Sequence, residues 1–194
     1  MRALVLGASG MLGNAVFRVF AASDEMDVVG TVRSRAAATR LPSVSSTRLV
    51  SGVDVGDADG LARVFAEVRP DVVINCVGLV KQLSDAKDPL QAIPVNSLLP
   101  HRLARLCELV GARFVHVSTD CVFSGARGRY VESDPADAED LYGRSKLLGE
   151  VDYPHAVTLR TSIIGHELDG TQSLLGWFLS QHGEVKGFAQ AIFS

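Results

Sequence analysis

A tyrosine and a lysine four residues apart, Tyr142 and Lys146, have the spacing and chemistry of a proton-transfer pair. Residues at this spacing share one face of a helix. The phenol of tyrosine has an ordinary pKa of about 10, and a neighbouring ammonium group lowers that pKa by favouring the phenolate. Such a tyrosine can give a proton to a carbonyl oxygen while a hydride reaches the carbonyl carbon. The pair indicates carbonyl reduction, although the same spacing also occurs on helices by chance.

Hydroxyl groups that could bind the same carbonyl oxygen lie earlier in the chain. The run Arg113–Val117 is predicted to be a strand, and Ser118, Thr119 and Asp120 follow it directly. A hydroxyl at the end of a strand can donate a hydrogen bond to a reacting oxygen and fix its position. We therefore expect this strand end to lie beside the Tyr142 helix.

A glycine-rich turn near the N-terminus is typical of a dinucleotide-binding site. The apolar run Arg2–Leu6 is followed by Gly7, Ala8, Ser9, Gly10, Met11, Leu12 and Gly13. The three glycines would allow a tight turn, close approach of a pyrophosphate and close packing of helix on strand. The N–H groups at the start of the next helix would face the phosphates. Because the spacing is G-x-x-G-x-x-G, a tight turn without a ligand is the alternative.

The residues after the second strand favour NADP(H) over NAD(H). An acidic residue usually ends this strand when NAD is bound, but here Arg33 follows the strand and could meet a 2′-phosphate. A solvated basic loop is the alternative. Asp54 could accept a hydrogen bond from the adenine amino group or could serve a turn. Cys76, Val77 and Gly78 end the fourth strand, where glycine permits close approach of the dinucleotide.

Apolar runs and helical patterns alternate along the chain, which predicts a doubly wound parallel α/β sheet of the Rossmann type, with strand order 3-2-1-4-5-6. We expect Leu12, Val16, Val19 and Phe20 to form the apolar face of the first helix, and Asp57 to cap a helix ending before Pro70. The expected later helices are 96–109 and 141–151. The six predicted strands are 2–6, 27–32, 47–51, 71–77, 113–117 and 156–160.

Composition excludes several functional classes. The 194 residues carry a net charge of −3 with no basic stripe, which argues against nucleic-acid binding. No apolar run is long enough to span a bilayer. The three cysteines and five histidines show no metal-ligand spacing, so no metal is expected, and His116 is interpreted as a packing residue. These features predict a cytoplasmic protein without a membrane partner, and they leave a homodimer open.

The chain resembles the extended short-chain dehydrogenase/reductases, and among them the dTDP-4-dehydrorhamnose reductase group. The resemblance implies an NADP(H)-dependent reductase of a 4-keto-6-deoxy nucleotide sugar, with Thr119, Tyr142 and Lys146 as the catalytic triad. Tyr142 would be the general acid, Lys146 would lower its pKa and hold the nicotinamide ribose, and Asp120 would support the site. Asn96 would be structural. The segments that carry the resemblance are GASGMLG (7–13), NCVG (75–78), VNSLLPHRLA (95–104), VSTDCVFSG (117–125), YGRSKLLGE (142–150) and LRTSIIG (159–165).

Two segments depart from the pattern of this group. LVKQLSDAKDP (79–89) stands where the rhamnose enzymes carry an acidic, alanine-rich stretch, which leaves the sugar undetermined. Residues 1–165 are expected to form the cofactor-binding domain, and 166–194 the beginning of an incomplete substrate-binding lobe.

The acidic loop 134–140 is interpreted as a solvated face or mobile flap without a binding role. An epimerase or dehydratase, or a regulatory subunit that binds NADP without turnover, are the alternative functions.

Overall fold

Six short strands rich in apolar residues form one parallel sheet, as the sequence predicts. The computed structural model describes residues 1–41, 47–81, 84–168, 170–171 and 173–187. All neighbouring strands pair in parallel, in the order β3-β2-β1-β4-β5-β6, which confirms the predicted strand order. The strands are β1 (Arg2–Leu6), β2 (Asp27–Val32), β3 (Thr47–Ser51), β4 (Val72–Asn75), β5 (Arg113–Ser118) and β6 (Ala156–Arg160).

Helices cover both faces of the sheet. Successive residues of β1 point to opposite faces, so that Leu4 and Leu6 pack in one cluster and Ala3 and Val5 pack in the other. The α-helices within the described residues are α1 (Met11–Ala21), α2 (Arg35–Ala38), α3 (Ala58–Val68), α4 (Pro89–Ala92), α5 (Leu99–Val110), α6 (Leu141–Leu148) and α7 (Leu174–Leu179). Helices α3 and α5 cover the Leu4 face, and α1 covers the Ala3 face.

Val16 and Phe20 of α1 pack against the core as predicted, but the most buried side chain of this helix is one that the prediction left out. Phe17 is fully buried, whereas Val19 is 67% exposed. The cause is the contact between α1 and the glycine turn: a Cβ atom at Gly13 would overlap the carbonyl group of Gly7. This close approach fixes the rotation of α1, and Phe17 lies inward as a result.

The helical segment before β5 begins earlier than predicted. It starts at Pro89 rather than at Asn96, because Asp88 caps α4 by accepting a hydrogen bond from the Leu90 N–H at 2.9 Å. A π-helical turn (Ile93–Leu98) then joins α4 to α5 and includes Pro94. Proline lacks an N–H donor and interrupts a regular α-helix, so it is accommodated where the hydrogen-bond pattern changes from α to π. Asn96 is buried within this turn.

Two short 3-10 helices complete the described secondary structure, over Ser84–Lys87 and Asp120–Val122. The second one follows β5 directly, so it places the residues after Ser118 at the carboxyl edge of the sheet. Helix α6 ends three residues before the predicted position, at Leu148. Gly149 follows, and its lack of a side chain allows contact with the Asn96 carbonyl.

Candidate active site

A cavity of about 800 Å³ lies at the carboxyl edge of the sheet. In parallel α/β sheets, ligands bind at this edge. Its walls come from the glycine turn, the end of β2, the segments after β4 and β5, helix α6 and residues between 161 and 174. Six of the predicted site residues line it: Ser9, Gly10, Met11, Arg33, Thr119 and Tyr142.

The glycine turn has the backbone geometry that the sequence predicts. Gly7 has φ +80°, a conformation that favours glycine. Its N–H donates to the Thr31 hydroxyl at 3.3 Å, and the Gly10 N–H donates to the Gly7 carbonyl at 2.9 Å. Gly13 contacts the same carbonyl from α1. These contacts seat the start of α1 against the end of β1.

The start of α1 is open to a ligand. Gly10 precedes the helix and has no side chain to cap it, and the first turn of the helix, which includes Leu12, contains no acidic residue. The first N–H groups of a helix have no partners within the helix. An anion in the cavity therefore finds donors and the positive end of the helix dipole at this position.

The structure places Arg33 on the cavity wall, whereas Asp54 lies in a turn. Arg33 is exposed and lines the cavity together with Ser34 and Arg40, which puts a positive charge at the predicted place. Asp54 is exposed, and its Oδ1 atom accepts a hydrogen bond from the Gly56 N–H at 2.8 Å. The structure therefore favours the turn alternative for Asp54, which is not among the described residues that line the cavity.

The end of β4 packs beneath the glycine turn. A Cβ atom on Gly7 would lie 3.0 Å from the Val77 side chain and 3.4 Å from the Cys76 backbone. Burial raises the pKa of the Cys76 thiol to about 12, so it is protonated at neutral pH. Gly78 is exposed and lies beside Asn96 and Lys146. These three residues, Cys76, Val77 and Gly78, link the predicted cofactor turn to the predicted catalytic helix.

Tyr142 and Thr119 meet in the cavity. Burial raises the pKa of Tyr142 above its ordinary value, and a hydrogen bond with Thr119 opposes this effect. The Thr119 hydroxyl also donates to Asp120 Oδ1 at 3.2 Å and accepts from the Cys121 N–H at 3.1 Å. Asp120 Oδ2 accepts from the Ser162 hydroxyl at 2.6 Å. Asp120 therefore supports Thr119, as the family resemblance implies.

Lys146 lies deeper than the tyrosine on the same helix. Its Nζ atom donates to the Val117 carbonyl at 2.8 Å, and its side chain is buried. Desolvation by burial lowers the pKa of Lys146 to about 8, although Glu150 opposes this effect. The ammonium group of Lys146 is thus directed at the end of β5, and the expected lowering of the Tyr142 pKa by Lys146 stays a prediction.

Asn96 holds the elements around the site together, in agreement with its expected structural role. Its Oδ1 atom accepts from the Leu79 N–H at 2.9 Å, and its Nδ2 atom donates to the Leu79 carbonyl and to the Ser145 hydroxyl, each at 3.2 Å. Ser97 adds a hydrogen bond to the Ser145 carbonyl at 2.8 Å. The π-helical turn is therefore tied to α6 and to the segment after β4.

His116 is a core residue, as predicted. It is fully buried and its Nδ1 atom lies 3.1 Å from Asn75 Nδ2. The Asn75 Oδ1 atom accepts from the Val77 N–H at 3.1 Å, so its amide group donates to His116. Burial lowers the pKa of His116 to about 3, with a smaller contribution from Lys146, and the ring is neutral at physiological pH. Among the described residues, no group of three His, Cys, Asp or Glu side chains could hold a metal ion.

Sequence reasoning missed an ion pair at the rim of the cavity. Lys81 Nζ lies 2.7 Å from Asp140 Oδ2, and Lys81 lines the same cavity as Tyr142. Asp140 also caps α6, where its Oδ1 atom accepts from the Gly143 N–H at 2.7 Å. The cap that Asp140 provides could have been inferred from an aspartate just before a helical pattern. Its ion-pair partner Lys81, 59 positions away, could not have been inferred.

The acidic loop 134–140 is largely exposed, in line with the solvated-face alternative, and several of its carboxylates accept hydrogen bonds from the preceding segment. Asp134 pairs with Arg127 and accepts from the Val131 N–H at 2.7 Å. Asp137 accepts from the Ser124 N–H at 2.6 Å and from the Ser124 hydroxyl at 2.7 Å. Because these carboxylates are bound within the loop, their charges contribute to local structure.

Sequence reasoning also missed a second ion pair, which stabilises the end of β5 next to Thr119. Glu150 accepts from Arg160 Nη2 at 2.7 Å and from the Ser118 hydroxyl at 2.8 Å. The side chains of Arg160 and Glu150 are only 24% and 14% exposed. The pair thus joins the region after α6 to the ends of β5 and β6, directly behind the cavity.

We expect Glu150→Ala to lower the free energy of unfolding by about 1.5–3 kcal/mol, the usual contribution of hydrogen bonds to charged groups that are partly buried. Urea denaturation followed by circular dichroism measures this change. Glu108→Ala is the matched control, because Glu108 pairs with Arg105 at 2.8 Å while both side chains are more than half exposed. Exposed pairs contribute less than about 1 kcal/mol. Equal losses in the two variants would contradict the assigned bracing role.

Comparison with known proteins agrees with this arrangement. The family model described as the RmlD substrate binding domain matches residues 1–182. The chain belongs to the RmlD substrate binding domain family. The match includes the glycine turn, the end of β5 and α6, so every residue of the candidate site lies within the family region.

Relatives of this RmlD-family chain include enzymes and a subunit. It is 34% identical over 182 residues to the "Probable low-salt glycan biosynthesis reductase Agl14" of Haloferax volcanii, covering 91% of this chain and 58% of that protein. It is 32% identical over 173 residues to the "Methionine adenosyltransferase 2 subunit beta" of Danio rerio, covering 87% and 49%. The chain thus spans about half the length of the curated relatives it matches.

A solved structure shares the fold of this RmlD-family chain. The dTDP-4-dehydrorhamnose reductase of Bacillus anthracis, solved in complex with NADP, matches with a TM-score of 0.62 and 26% identity. The match covers 76% of this chain and 47% of that one. Within the described residues, no helix is long and apolar enough to cross a membrane.

Proposed function

We propose that the chain is the catalytic part of an NADP(H)-dependent reductase that acts on a 4-keto-6-deoxy nucleotide sugar. One observation carries the proposal: a single cavity is lined by Gly10 at the open start of α1, by Arg33, and by Thr119 and Tyr142. The first two suit a phosphorylated dinucleotide, and the last two suit proton transfer to a carbonyl oxygen. The names of the Haloferax and Bacillus relatives support the same reaction class.

The residues present fit a nicotinamide dinucleotide. The glycine turn leaves a cradle above Gly10, where the nearest atom to an added Cβ is the Gly7 carbonyl oxygen at 3.4 Å. The uncapped start of α1 supplies N–H donors for the pyrophosphate. Arg33 supplies the charge for a 2′-phosphate. When bound, a dihydronicotinamide supplies the hydride for the carbonyl carbon.

Residues of this chain would orient the substrate oxygen and donate the proton to it. Thr119 is fixed by Asp120 and Cys121, and its hydroxyl would orient the substrate oxygen beside Tyr142. The Tyr142 O–H bond breaks as a new O–H bond forms on that oxygen, which leaves a phenolate. Lys146, with a pKa near 8, loses or gains a proton readily near neutral pH and would hold the ribose hydroxyls in our proposal. Preorganised donors of this kind stabilise the charge that develops on the oxygen.

We also propose that residues 1–165 form the cofactor-binding unit and that the residues from 166 onward contribute to a substrate-binding lobe. The partly exposed apolar residues on α7, which include Trp177 and Phe178, support this division. Residues 188–194 of this segment lie outside the described part of the chain.

Calorimetric titration with NADPH and NADH tests the proposal first. We expect tight binding of NADPH and weak binding of NADH, followed by NADPH oxidation in the presence of a 4-keto-6-deoxy nucleotide sugar. Failure to bind either dinucleotide would overturn the proposal. Binding without oxidation would favour the second candidate function below.

Arg33→Ala is expected to weaken NADPH binding by about tenfold to a hundredfold and NADH binding by less than about twofold. A hydrogen-bonded charge pair contributes about 1.5–3 kcal/mol, and each 1.4 kcal/mol changes Kd tenfold. Arg35→Ala is the matched control, because Arg35 is an exposed cation two positions away that does not line the described cavity. Equal losses for both nucleotides in Arg33→Ala would remove Arg33 from the 2′-phosphate role.

A regulatory subunit that binds NADP without turnover is the second candidate. The relative named as a subunit of methionine adenosyltransferase favours it, since the match covers 87% of this chain. An intact Tyr142 beside Thr119 favours the reductase instead. An epimerase or dehydratase that retains NAD is less well supported, because Arg33 stands where an acidic residue would hold the ribose.

A further inference from the structure

We propose that Gly143 is a positioning residue for proton transfer, because its missing side chain lets the segment that carries Thr119 lie close enough to α6 for Thr119 and Tyr142 to act on one substrate oxygen. The inference rests on the proposed reductase function and adds a residue to it. Gly143 follows Tyr142 directly in α6 and is buried. It is not among the described residues that line the cavity, so it acts through its neighbours.

The space around the Cα atom of Gly143 is filled by atoms from two other segments. A Cβ atom built there would overlap the Cys121 carbonyl oxygen, and it would lie 2.5 Å from the Ala138 Cβ atom and 3.3 Å from Asp140 Oδ1. The carbonyl oxygen belongs to the backbone, so it cannot turn aside as the end of a flexible side chain can. A side chain at position 143 would therefore push α6 and the segment after β5 apart.

The segment in contact with Gly143 is the one that fixes Thr119. The N–H group of Cys121 donates to the Thr119 hydroxyl at 3.1 Å, while the carbonyl of the same Cys121 faces Gly143. Thr119 also caps the 3-10 helix Asp120–Val122, so the hydroxyl and the carbonyl belong to one turn. A displacement at the contact between Cys121 and Gly143 therefore changes the distance between the hydroxyl groups of Thr119 and Tyr142.

Hydrogen bonds draw three segments together around this contact. The Val122 carbonyl accepts from the Ala138 N–H at 3.0 Å, and the Ala138 carbonyl accepts from Arg144 Nε at 3.1 Å. The Gly143 N–H donates to Asp140 Oδ1 at 2.7 Å. The 3-10 helix, the acidic loop and α6 thus meet at Gly143, and a side chain there cannot be accommodated without lengthening some of these bonds.

Local helix stability does not account for a glycine at this position. In the interior of a helix, glycine is less favourable than alanine by about 0.5–1 kcal/mol. Gly143 is not among the glycines with a positive φ angle, so its backbone conformation does not require glycine either. The close approach of the Cys121 carbonyl supplies the reason for glycine between Tyr142 and Arg144.

A double-mutant cycle between Gly143→Ala and Thr119→Val tests the inference. With NADPH and a 4-keto-6-deoxy nucleotide sugar, we expect Gly143→Ala to lower kcat by about tenfold to a hundredfold, the effect of moving a positioned group by about 1 Å. The Kd for NADPH should stay within about twofold of the wild type. In the Thr119→Val background, Gly143→Ala should lower kcat by less than about threefold, because the hydroxyl that it displaces is already absent. Equal fold losses in the two backgrounds would overturn the inference.

Ala138→Gly separates the positioning role of Gly143 from its contribution to stability. The Ala138 Cβ atom is one of the atoms that crowd position 143, and its removal leaves the Cys121 carbonyl in place. The double variant Gly143→Ala/Ala138→Gly should therefore regain part of the unfolding free energy that Gly143→Ala loses, as measured by urea denaturation, while its kcat stays low. Recovery of kcat in step with stability would assign Gly143 to the fold alone and overturn the inference.

Crystal structures of the wild type and of Gly143→Ala measure the displacement without turnover. The distance between Thr119 Oγ and the Tyr142 hydroxyl oxygen should lengthen by about 0.5 Å or more, the tolerance within which catalytic groups must be held. An unchanged distance would overturn the inference. If Gly143→Ala does not fold, the double variant with Ala138→Gly takes its place, and failure of both to fold would also overturn the inference. A wild-type chain that binds no NADPH would instead defeat the proposed function.

Discussion

Tyr142→Phe is expected to lower the rate of NADPH oxidation by about 10²–10⁴-fold, the usual contribution of a positioned general acid. The substitution removes only the hydroxyl oxygen. The ring stays in its place beside Thr119, and the glycine turn and Arg33 are untouched. We therefore expect NADPH to bind within about twofold of the wild-type Kd, so that the whole loss appears in kcat. Calorimetry for binding and absorbance at the reduced-nicotinamide band for turnover measure the two quantities.

Tyr153→Phe is the matched control for this substitution. The Tyr153 hydroxyl lies 3.1 Å from His101 Nδ1, and the ring packs at the edge of the core, away from the cavity. Its loss should change stability slightly and leave turnover unaltered. Substantial turnover in Tyr142→Phe would remove Tyr142 as the proton donor. Unchanged NADPH binding with no turnover in either the wild type or the variant would favour the regulatory subunit.

Most of the fold follows from local patterns in the sequence. The strands alternate with amphipathic helices, and Asp57 caps α3 as predicted, with Leu61, Val64, Phe65 and Val68 buried. The errors lie where a tertiary contact decides the outcome. The rotation of α1 depends on the contact between Gly13 and Gly7, and the continuous helix through Pro94 depends on a π-helical turn. The periodicity of hydrophobic residues predicts neither of these two features.

The residues of the candidate site likewise fall into those that local sequence predicts and those whose position depends on tertiary contacts. The turn, Arg33 and Thr119 were predictable because each follows a strand, and parallel strands end at one edge of the sheet. Tyr142 lies on α6 and was predictable from its spacing to Lys146. The direction of the Lys146 side chain was not predictable, since spacing places it on the tyrosine's face of α6 but not toward the phenol. The Lys81–Asp140 and Glu150–Arg160 pairs join distant segments, and opposite charges far apart in sequence give no local signal.

Gly13→Ala is expected to destabilise the fold and to abolish measurable NADPH binding together. A Cβ atom at this position would overlap the Gly7 carbonyl oxygen and would lie 2.7 Å from the carbonyl carbon. Both neighbours are backbone atoms, so α1 must move away from the turn. Forcing atoms into a packed contact usually costs about 1–3 kcal/mol. The displaced helix start would no longer face the pyrophosphate. Urea denaturation and calorimetry with NADPH measure the two losses.

Gly10→Ala separates binding from folding at the same turn. An added Cβ atom there would lie 3.4 Å from the Gly7 carbonyl oxygen, an ordinary contact, and Gly10 has φ −77°, which any residue adopts. We therefore expect unfolding close to that of the wild type but NADPH binding weakened at least about tenfold, because the methyl group occupies the cradle proposed for the pyrophosphate. Gly183→Ala, where nothing lies within 4 Å of the added Cβ, should change neither quantity. Wild-type NADPH binding in Gly10→Ala would mean that the turn serves only the packing of α1 on β1, since packing alone requires Gly7 and Gly13 but tolerates a side chain between them.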